Sequence, residues 1–587
     1  MERTTSAASI GTIGRQIQNS KKGEEGEKPV ASSTVVETQD QFPILRVPSE
    51  VLLLIFVELK RISADEKEKR EFRDFIEWTV VTHVCHTWRE IALGAPFLWS
   101  YIRITSSNPS ELRCAAEMLH RSRNETLLSV RLDFDFSSVT SLALPPTLPV
   151  SLSAVIQELP RIRELDLRYF EPHQLQEFFN GRNVPQLQTL RFDRVYGPLF
   201  NLQEPLLEAP SLRRLSLDYC QVDLNTVILR QLTHLALARL QSVYDLLELL
   251  PSTPHLEFLD IKEFVNFFPH EVPDRPKVHL PFLKTARINA SITDVASILS
   301  NIVSSPALRL RISTFWLKTN YSPELIYDLL TAVSSQYSQP TRSSTSPPST
   351  ANNESVSIKS LRVFRVGRAT YVFQAFREIF TQEEMFGRHM DPVVDLRLNW
   401  HTLRKSAYGQ LMEDLFSYLP LTNLVTLQVF SCGTIASSTW RDTLGSLPHI
   451  QSILVSKDFQ PFTTSLVPTQ PQQDNVGTYS LPFPSLSSVI FHDIFSSAKP
   501  EELVSKFINP AMAALYFRNS INAAPNIQHF ILLNCPVLSD RLKAAVFMPV
   551  KHLQYWHRPG FNDSDPLCTV VDHIDDSLDR DSLLDLP

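Results

Sequence analysis

One short pattern recurs along most of this 587-residue chain: an apolar residue, two variable residues, an apolar residue, one variable residue and an apolar residue. The first six copies begin at positions 162, 187, 212, 232, 256 and 283, so neighbouring copies start 20 to 27 residues apart. The copies are IRELDL (162–167), LQTLRF (187–192), LRRLSL (212–217), LTHLAL (232–237), LEFLDI (256–261), LKTARI (283–288), IKSLRV (358–363), VVDLRL (393–398), LVTLQV (424–429), IQSILV (450–455), LSSVIF (486–491), IQHFIL (527–532) and VKHLQY (550–555). Such a period indicates an array of similar units, none of which can bury its apolar face alone.

The pattern also predicts the structure of one unit. Apolar and variable residues alternate at the end of the pattern, which predicts a short strand with every second side chain in a core. The residues that follow are expected to form a helix that leads back to the start of the next strand. This is the signature of leucine-rich repeats. We predict an α/β fold in which a small all-α unit at 42–104 precedes a leucine-rich-repeat solenoid at 105–560, with parallel strands on the concave face and helices on the convex face. Tracts rich in Pro, Ser and Thr at 338–357 and 463–480 are expected to be loops within the array.

Composition argues against several classes of function. The net charge of −7 gives no electrostatic basis for binding nucleic acid or an anionic membrane, and no run of about 18 apolar residues is present. Glycine is scarce, and the common nucleotide-binding, hydrolase and metalloprotease motifs are missing. The six cysteines form no CxxC pair, and Cys220, Cys432 and Cys535 fit small inward positions of the repeat. We expect a cytoplasmic and/or nuclear protein without enzymatic activity, cofactor or bound metal.

The N-terminal part is expected to be helical. Residues 1–41 and 561–587 lack apolar periodicity, and we expect a disordered tail and an acidic tail there. In FPILRVPSEVLLLIFVEL (42–59), Pro48 and Glu50 suit the first turn of a helix. The residues after Glu50 are apolar almost all round, so either a partner or the repeat array must cover them.

The stretch VTHVCHTWREIALGAPFLW (81–99) combines two histidines, a cysteine and a tryptophan. Val81, Val84, Cys85, Trp88, Ile91 and Ala92 recur at intervals of three and four and predict one helix with an apolar stripe, which Gly94 and Pro96 end. His83 and His86 lie off this stripe. They either belong to the helix surface or share a metal ion.

Together, VPSEVLLLIFVEL and VVTHVCHTWREIALGAPFLW resemble an F-box, the module that binds the adaptor of cullin–RING ubiquitin ligases. The form is similar to F-box proteins with C-terminal leucine-rich repeats that are abundant in mushroom-forming fungi. This resemblance implies a non-catalytic substrate receptor whose box docks a Skp-type adaptor and whose repeats bind a protein target. The adaptor contacts that it implies are Val47, Pro48, Val51, Leu52, Ile55, Phe56, Val84, Cys85 and Trp88.

This sequence departs from the F-box pattern in two places. Val47 replaces the usual Leu before Pro48, and a charged insertion at 60–78 is expected to loop out between the helices. Trp88 either contacts the adaptor or locks the core of the box, and Trp99 is expected to anchor the box to the first repeats. The alternative is a repeat scaffold that joins no ligase.

Residues between the inward positions of each strand should face the concave side. Four of them, Arg287, Arg311, Arg362 and Arg397, would stack on neighbouring strands as a ladder suited to carboxylate or phosphate groups, which predicts an acidic or phosphorylated target. The alternative is a set of solvated strand residues without a ligand. Later strands place Phe430, Leu454, Ile490, Ile531, Leu533 and Trp556 there, either as an exposed apolar anchor for the target or under the C-terminal segment.

Overall fold

The computed structural model describes residues 47–65, 77–105, 108–133, 152–180, 182–195, 200–201, 209–220, 222–223, 227–264, 276–305, 307–315, 322–337, 357–367, 370–380, 390–399, 405–430, 435–457, 459–467, 481–492, 514, 518, 527–533 and 552–556. Within these ranges the α-helices are α1 Ser49–Asp65, α2 His86–Leu93, α3 Pro109–Arg121, α4 Ser153–Gln157, α5 Pro172–Phe179, α6 Val243–Leu249, α7 Ile292–Asn301, α8 Pro323–Tyr337, α9 Lys405–Tyr418 and α10 Gln460–Ser465. Shorter helical turns are Glu77–His83, Pro96–Trp99, Leu159–Arg161, Val227–Gln231, Leu250–Ser252 and the π-helix Thr439–Leu444.

The strands are β1 Tyr101–Ile104, β2 Leu128–Asp133, β3 Ile162–Arg168, β4 Thr189–Asp193, β5 Phe200–Asn201, β6 Arg214–Asp218, β7 Val222–Asp223, β8 His234–Leu240, β9 Phe258–Phe264, β10 Val278–Leu280, β11 Thr285–Ser291, β12 Ile302–Ser304, β13 Arg309–Phe315, β14 Ser360–Val366, β15 Thr370–Phe376, β16 Val394–Asn399, β17 Thr426–Phe430, β18 Ser452–Ser456, β19 Ser488–His492, β20 His529–Leu533 and β21 His552–Trp556. Each of the thirteen copies of the pattern ends in one of these strands.

Seventeen of the strands form one large, mostly parallel sheet, so the fold is mixed α/β as predicted. The order is sequential from β1 to β13, apart from the short strands β5, β7, β10 and β12, and it is sequential again from β17 to β21. Helices α6, α7, α8 and α9 pack against one another in chain order. Each strand of both series thus lies beside the previous one in the chain, as expected for an array of similar units.

The expected order fails between β13 and β17. The strand at 358–363 was expected to follow the strand near residue 310, but β16 pairs with β13 and β14 pairs with β17. Between them, β15 runs antiparallel to both β14 and β16. The chain reverses direction after β14, since Val366 pairs with Thr370 of the antiparallel β15, and Gly367, which follows β14, has a φ of 57°, the left-handed conformation that glycine adopts without strain. The intervening tract at 338–356 lies outside the described residues.

A left-handed residue recurs at the end of the early strands. Tyr169, Arg194, Tyr219, Arg239 and Glu263 all have φ between 52° and 61° and follow one another at intervals of 20 to 25 residues. The first four side chains form a continuous stack: the guanidinium of Arg194 lies 5.2 Å from the ring centre of Tyr169 and 5.7 Å from that of Tyr219, and the guanidinium of Arg239 lies 3.6 Å from the ring centre of Tyr219. Arg239 also forms a 3.5 Å ion pair with Glu263. This stack offsets the cost of a conformation that residues other than glycine adopt rarely.

The two faces of the sheet differ. The helix face carries the alternate apolar residues, such as Leu165 and Leu167, which pack with the helices in the main core. The opposite face is polar on the early strands. On the late strands it is apolar and buried, because Leu454, Ile490 and Ile531 cluster with Phe376 and Phe380. The chain itself covers this part of the expected apolar anchor; the side chains of Leu533 and Trp556 are not described.

Candidate partner-docking surface

Helix α1 has one buried face and one exposed face. Leu52 and Phe56 are 2% and 0% exposed and belong to the main core. Val51, Leu54 and Ile55 are 44%, 68% and 40% exposed, and Ile62 continues the same face two turns later. We call Val51, Leu54, Ile55 and Ile62 the α1 apolar face. Of the two alternatives, cover by a partner or by the repeat array, the described part of the array does not cover this side of α1.

Contacts on the buried face fix the orientation of α1. The rings of Phe56 and Trp88 lie 5.2 Å apart, centre to centre. Lys60 donates from Nζ to the carbonyl of Phe97 at 2.8 Å and to Oγ of Ser100 at 3.3 Å. Burial and the nearby Arg163 lower the pKa of Lys60 to about 8. The α1 apolar face is thus presented outward by a packed and hydrogen-bonded support.

The predicted adaptor residues divide between this core and the surface. Leu52 and Phe56 are internal and hold α1 in place in the free chain, so the structure assigns them to the core and their role as adaptor contacts stays a prediction. Val47 and Trp88 are partly buried against the same core, whereas Val51, Ile55 and Pro48 are accessible. Leu54 was not among the predicted residues although it is the most exposed of the face; the helical spacing 51, 54, 55, 62 was the signal for it.

The stretch 81–99 is not one helix. A 3-10 turn ends at His83, and α2 begins at His86 with Cys85 in extended conformation as its N-cap, where Sγ accepts from the amide of Trp88. A cysteine that caps the helix cannot also continue its stripe, and Val84 points outward, 55% exposed. Gly94 ends α2 as expected. The charged insertion is shorter than predicted, since α1 extends to Asp65 and Trp78 is buried; residues 66–76 lie outside the described part.

Trp99 joins the helical unit to the array. Its Nε1 donates to the carbonyl of Ala92 at 2.9 Å, and its ring packs 5.0 Å from that of Trp78. On the array side, the guanidinium of Arg121 in α3 lies 4.4 Å from the Trp99 ring centre. This is the anchoring position expected from the sequence.

Exposed apolar side chains concentrate in this unit. Ten of the sixteen large exposed apolar side chains in the described ranges lie between Val51 and Phe97. Isolated exposed apolar residues are ordinary, but a concentration on adjoining helices indicates an interaction surface. Within the same ranges, no group of three or more His, Cys, Asp or Glu side chains could hold a metal, and no helix is both long and apolar enough to cross a membrane.

The four arginines predicted to form a ladder do not stack in one series. Arg287 and Arg311 are neighbours in register on β11 and β13. Arg397 pairs with Ser313, one step further along the strand, and forms a 3.1 Å ion pair with Asp395. The register therefore brings together only Arg287 and Arg311.

Arg362 lies apart from the other three arginines. Because β15 separates β14 from β16, Arg362 is not next to Arg397. Its Nε donates to Oε1 of Gln428 at 2.8 Å, its guanidinium packs on the rings of Phe376 and Phe380, and burial lowers its pKa to about 10. Arg362 serves the packing of the late strands rather than a ladder. The side chain of Trp556 is outside the described part.

No family model matches the chain, and no curated protein matches it. Among solved structures, the chain is similar to a chain of the "Crystal structure of Rad7 and Elc1 complex in yeast", with 12% identity over 86% of this chain and 92% of that chain, and a TM-score of 0.23. A TM-score this low supports no inference about the fold or function of this chain.

Proposed function

We propose that this protein is the non-catalytic substrate-recognition subunit of a Skp–cullin–F-box ubiquitin ligase, in the cytoplasm and/or the nucleus. In this proposal residues 42–104 are the F-box, and the units that follow are leucine-rich repeats in a solenoid whose concave face binds a protein target. The α1 apolar face docks the Skp-type adaptor. Ubiquitin transfer then depends on holding the target near the catalytic subunits, which raises the local concentration of its lysines.

One observation carries the proposal: a helix whose sequence resembles the opening of an F-box exposes four apolar residues on a single face. Burying such a face contributes roughly 25 cal/mol per Å² of apolar surface, so a partner with a complementary groove gains substantially from covering it. The repeat assignment has separate support, since the pattern, the strands and the left-handed turns share one period.

The test is co-purification of the full chain with a purified fungal Skp-type adaptor and its cullin. We expect the wild type to bind the adaptor, and the cullin to join only when the adaptor is present. The double variant Leu54→Asp, Ile55→Asp should lose both partners while circular dichroism stays unchanged, because both positions are exposed. Val467→Asp is the control, since Val467 is 41% exposed but lies on the late repeats.

Two results would reject the proposal. If the folded wild type captures no adaptor, the chain is a repeat scaffold outside a ligase. If the double variant binds as well as the wild type, the α1 apolar face is not the docking surface.

A further inference from the structure

A hollow of about 320 Å³ opens on the face of the sheet that lies opposite the helices, over β4, β6, β8, β9 and β11. Its floor exists because three neighbouring positions carry small side chains. Ser216 and Ala236 are paired in register between β6 and β8, and Ala238 follows one step further along β8. The paired positions on the flanking strands carry larger side chains, Arg191 on β4 and Asp260 and Lys262 on β9, so these three small residues form a depression in the surface.

Cationic side chains surround the floor. Arg191, Arg214, Lys262 and Arg287 line the hollow and are exposed. The hollow is also lined by two carboxylates, Asp218 and Asp260, whose negative charges are too few to neutralise the four positive charges. Within the described residues, the guanidinium groups of Arg191 and Arg214 have no hydrogen bond or ion pair, so their donors are available to a ligand.

One wall of the hollow is aromatic and flat. The rings of His234 and Phe258 stack 5.6 Å apart with 27° between their planes. The guanidinium of Arg287 lies 5.1 Å from the ring centre of Phe258. Burial and Arg214 lower the pKa of His234, so the imidazole is neutral at pH 7 and adds no positive charge. The positive charge of the hollow therefore comes from the four fixed cations.

We propose that this hollow receives an anionic side chain, a carboxylate or a phosphate, from an extended segment of a partner protein. Charge complementarity carries the assignment: unpaired guanidinium groups recognise carboxylate and phosphate by paired hydrogen bonds, and the floor leaves room for the group. The inference rests on the proposed function in that the partner would be the target of the ligase. It replaces the four-arginine ladder with Arg191, Arg214 and Arg287 around one cavity.

The experiment measures binding of three fluorescein-labelled dodecapeptides to the full chain by anisotropy at low salt. Their sequences are Gly/Ser repeats whose two central residues are Glu-Glu, phosphoserine–phosphoserine or Ser-Ser. We expect both anionic peptides to bind at least about tenfold more tightly than the Ser-Ser peptide, and the stronger of the two identifies the natural group. Their affinity should fall in 0.5 M salt, because exposed charges are screened.

Variants localise the binding. Ala236→Phe fills the floor and Arg191→Gln removes one free cation, and each should weaken the anionic peptides about tenfold. Arg311→Gln is the control: Arg311 is an exposed arginine in the same row, one strand beyond the hollow, and forms a 3.5 Å ion pair with Asp391, so its loss should change affinity less than about twofold. Arg191 is on the surface, so its variant reports on binding even if Ala236→Phe fails to fold.

Three results would overturn the proposal: equal binding of all three peptides, no binding of any, or equal loss with Arg311→Gln and Arg191→Gln. The acidic tail of this chain is a competing occupant. If the full chain with Asp575→Asn, Asp576→Asn and Asp579→Asn binds the peptides about tenfold more tightly, the tail fills the hollow and the partner assignment is wrong. Adaptor capture is measured on the same variants and should not change, so failure of the hollow and failure of the docking surface are distinguished.

Discussion

The α1 apolar face and the late strands carry similar apolar side chains, but these are exposed on α1 and buried on the late strands. On the late strands, Leu454, Ile490 and Ile531 lie on the face of the sheet opposite the helices and are buried in one cluster with Phe376 and Phe380. On α1, nothing in the described part of the chain covers the apolar residues at 51, 54, 55 and 62. Within the described ranges, the chain covers one apolar surface with its own residues and leaves the other open.

This difference distinguishes structural from functional apolar surface. A segment that only needs to fold gains free energy by burying its apolar residues, as the late strands do. Exposure that persists on a well-supported helix carries a cost in solubility and indicates a surface that a partner covers. The α1 apolar face is therefore the stronger candidate for an intermolecular contact.

The largest expected effect separates the two faces of α1. Leu52→Asp buries a carboxylate without a partner and should lower the free energy of unfolding of the helical unit by about 4 kcal/mol or more. Leu54→Asp, two residues away and exposed, should change it by less than about 0.5 kcal/mol. Urea denaturation followed by far-UV circular dichroism measures both, and equal effects would contradict the assigned orientation of α1.

A single substitution can also test the buried cluster that Phe376 and Phe380 form with the late strands. Phe380→Ala deletes a buried ring that packs 4.7 Å from Phe376, centre to centre, and should cost about 3 kcal/mol. The neighbouring Ile379, which is exposed, is the control, and Ile379→Ala should be nearly neutral. Increased binding of a hydrophobic dye to Phe380→Ala alone would show that the ring shields apolar surface; an unchanged melting curve would contradict this.

The support of the α1 apolar face predicts a pH dependence. The folded pKa of Lys60, about 8, lies below its usual value, so the unfolded chain binds this proton more tightly. The contribution of Lys60 to the free energy of unfolding is therefore lower below pH 8, and it rises as the pH increases from about 8 to about 10.5. Relative to Lys60→Met, the wild type should gain about 1–2 kcal/mol over this interval, after discounting for solvent screening. Parallel stability curves for the two proteins would contradict the burial of the ammonium.

The smallest effect concerns the early strands, whose turns are held by stacking rather than by a hydrophobic cover. Tyr219→Ala keeps the left-handed position but removes the ring between Arg194 and Arg239, and should cost about 1 kcal/mol. Tyr244→Ala, in α6 outside the stack, tests for a general effect of losing a tyrosine. Equal stability of wild type and Tyr219→Ala would show that the stack does not compensate for the turn.

The repeat period was sufficient to predict most of the sheet. Leucine spacing determines which residues enter the main core, so each copy of the pattern lies on a strand. The order of β14, β15 and β16 could not be predicted, because β15 lacks the pattern and pairing between distant strands depends on tertiary contacts.

The candidate sites were only partly predictable. Helical periodicity separates two faces of α1, but a helix that is apolar all round does not reveal which face is inside. The resemblance to an F-box implies Leu52 as an adaptor contact, whereas the structure buries it. The hollow at Ser216 and Ala236 depends on strand register and on small residues, neither of which forms a sequence motif.

Titration calorimetry of a Skp-type adaptor into the full chain at several temperatures tests the central claim most directly. Burial of the α1 apolar face predicts a negative heat-capacity change on binding. It also predicts that Ile55→Asp weakens the adaptor at least about tenfold whereas Val467→Asp does not. A heat-capacity change near zero, or equal affinities for these two variants, would contradict the claim that this face is the docking surface.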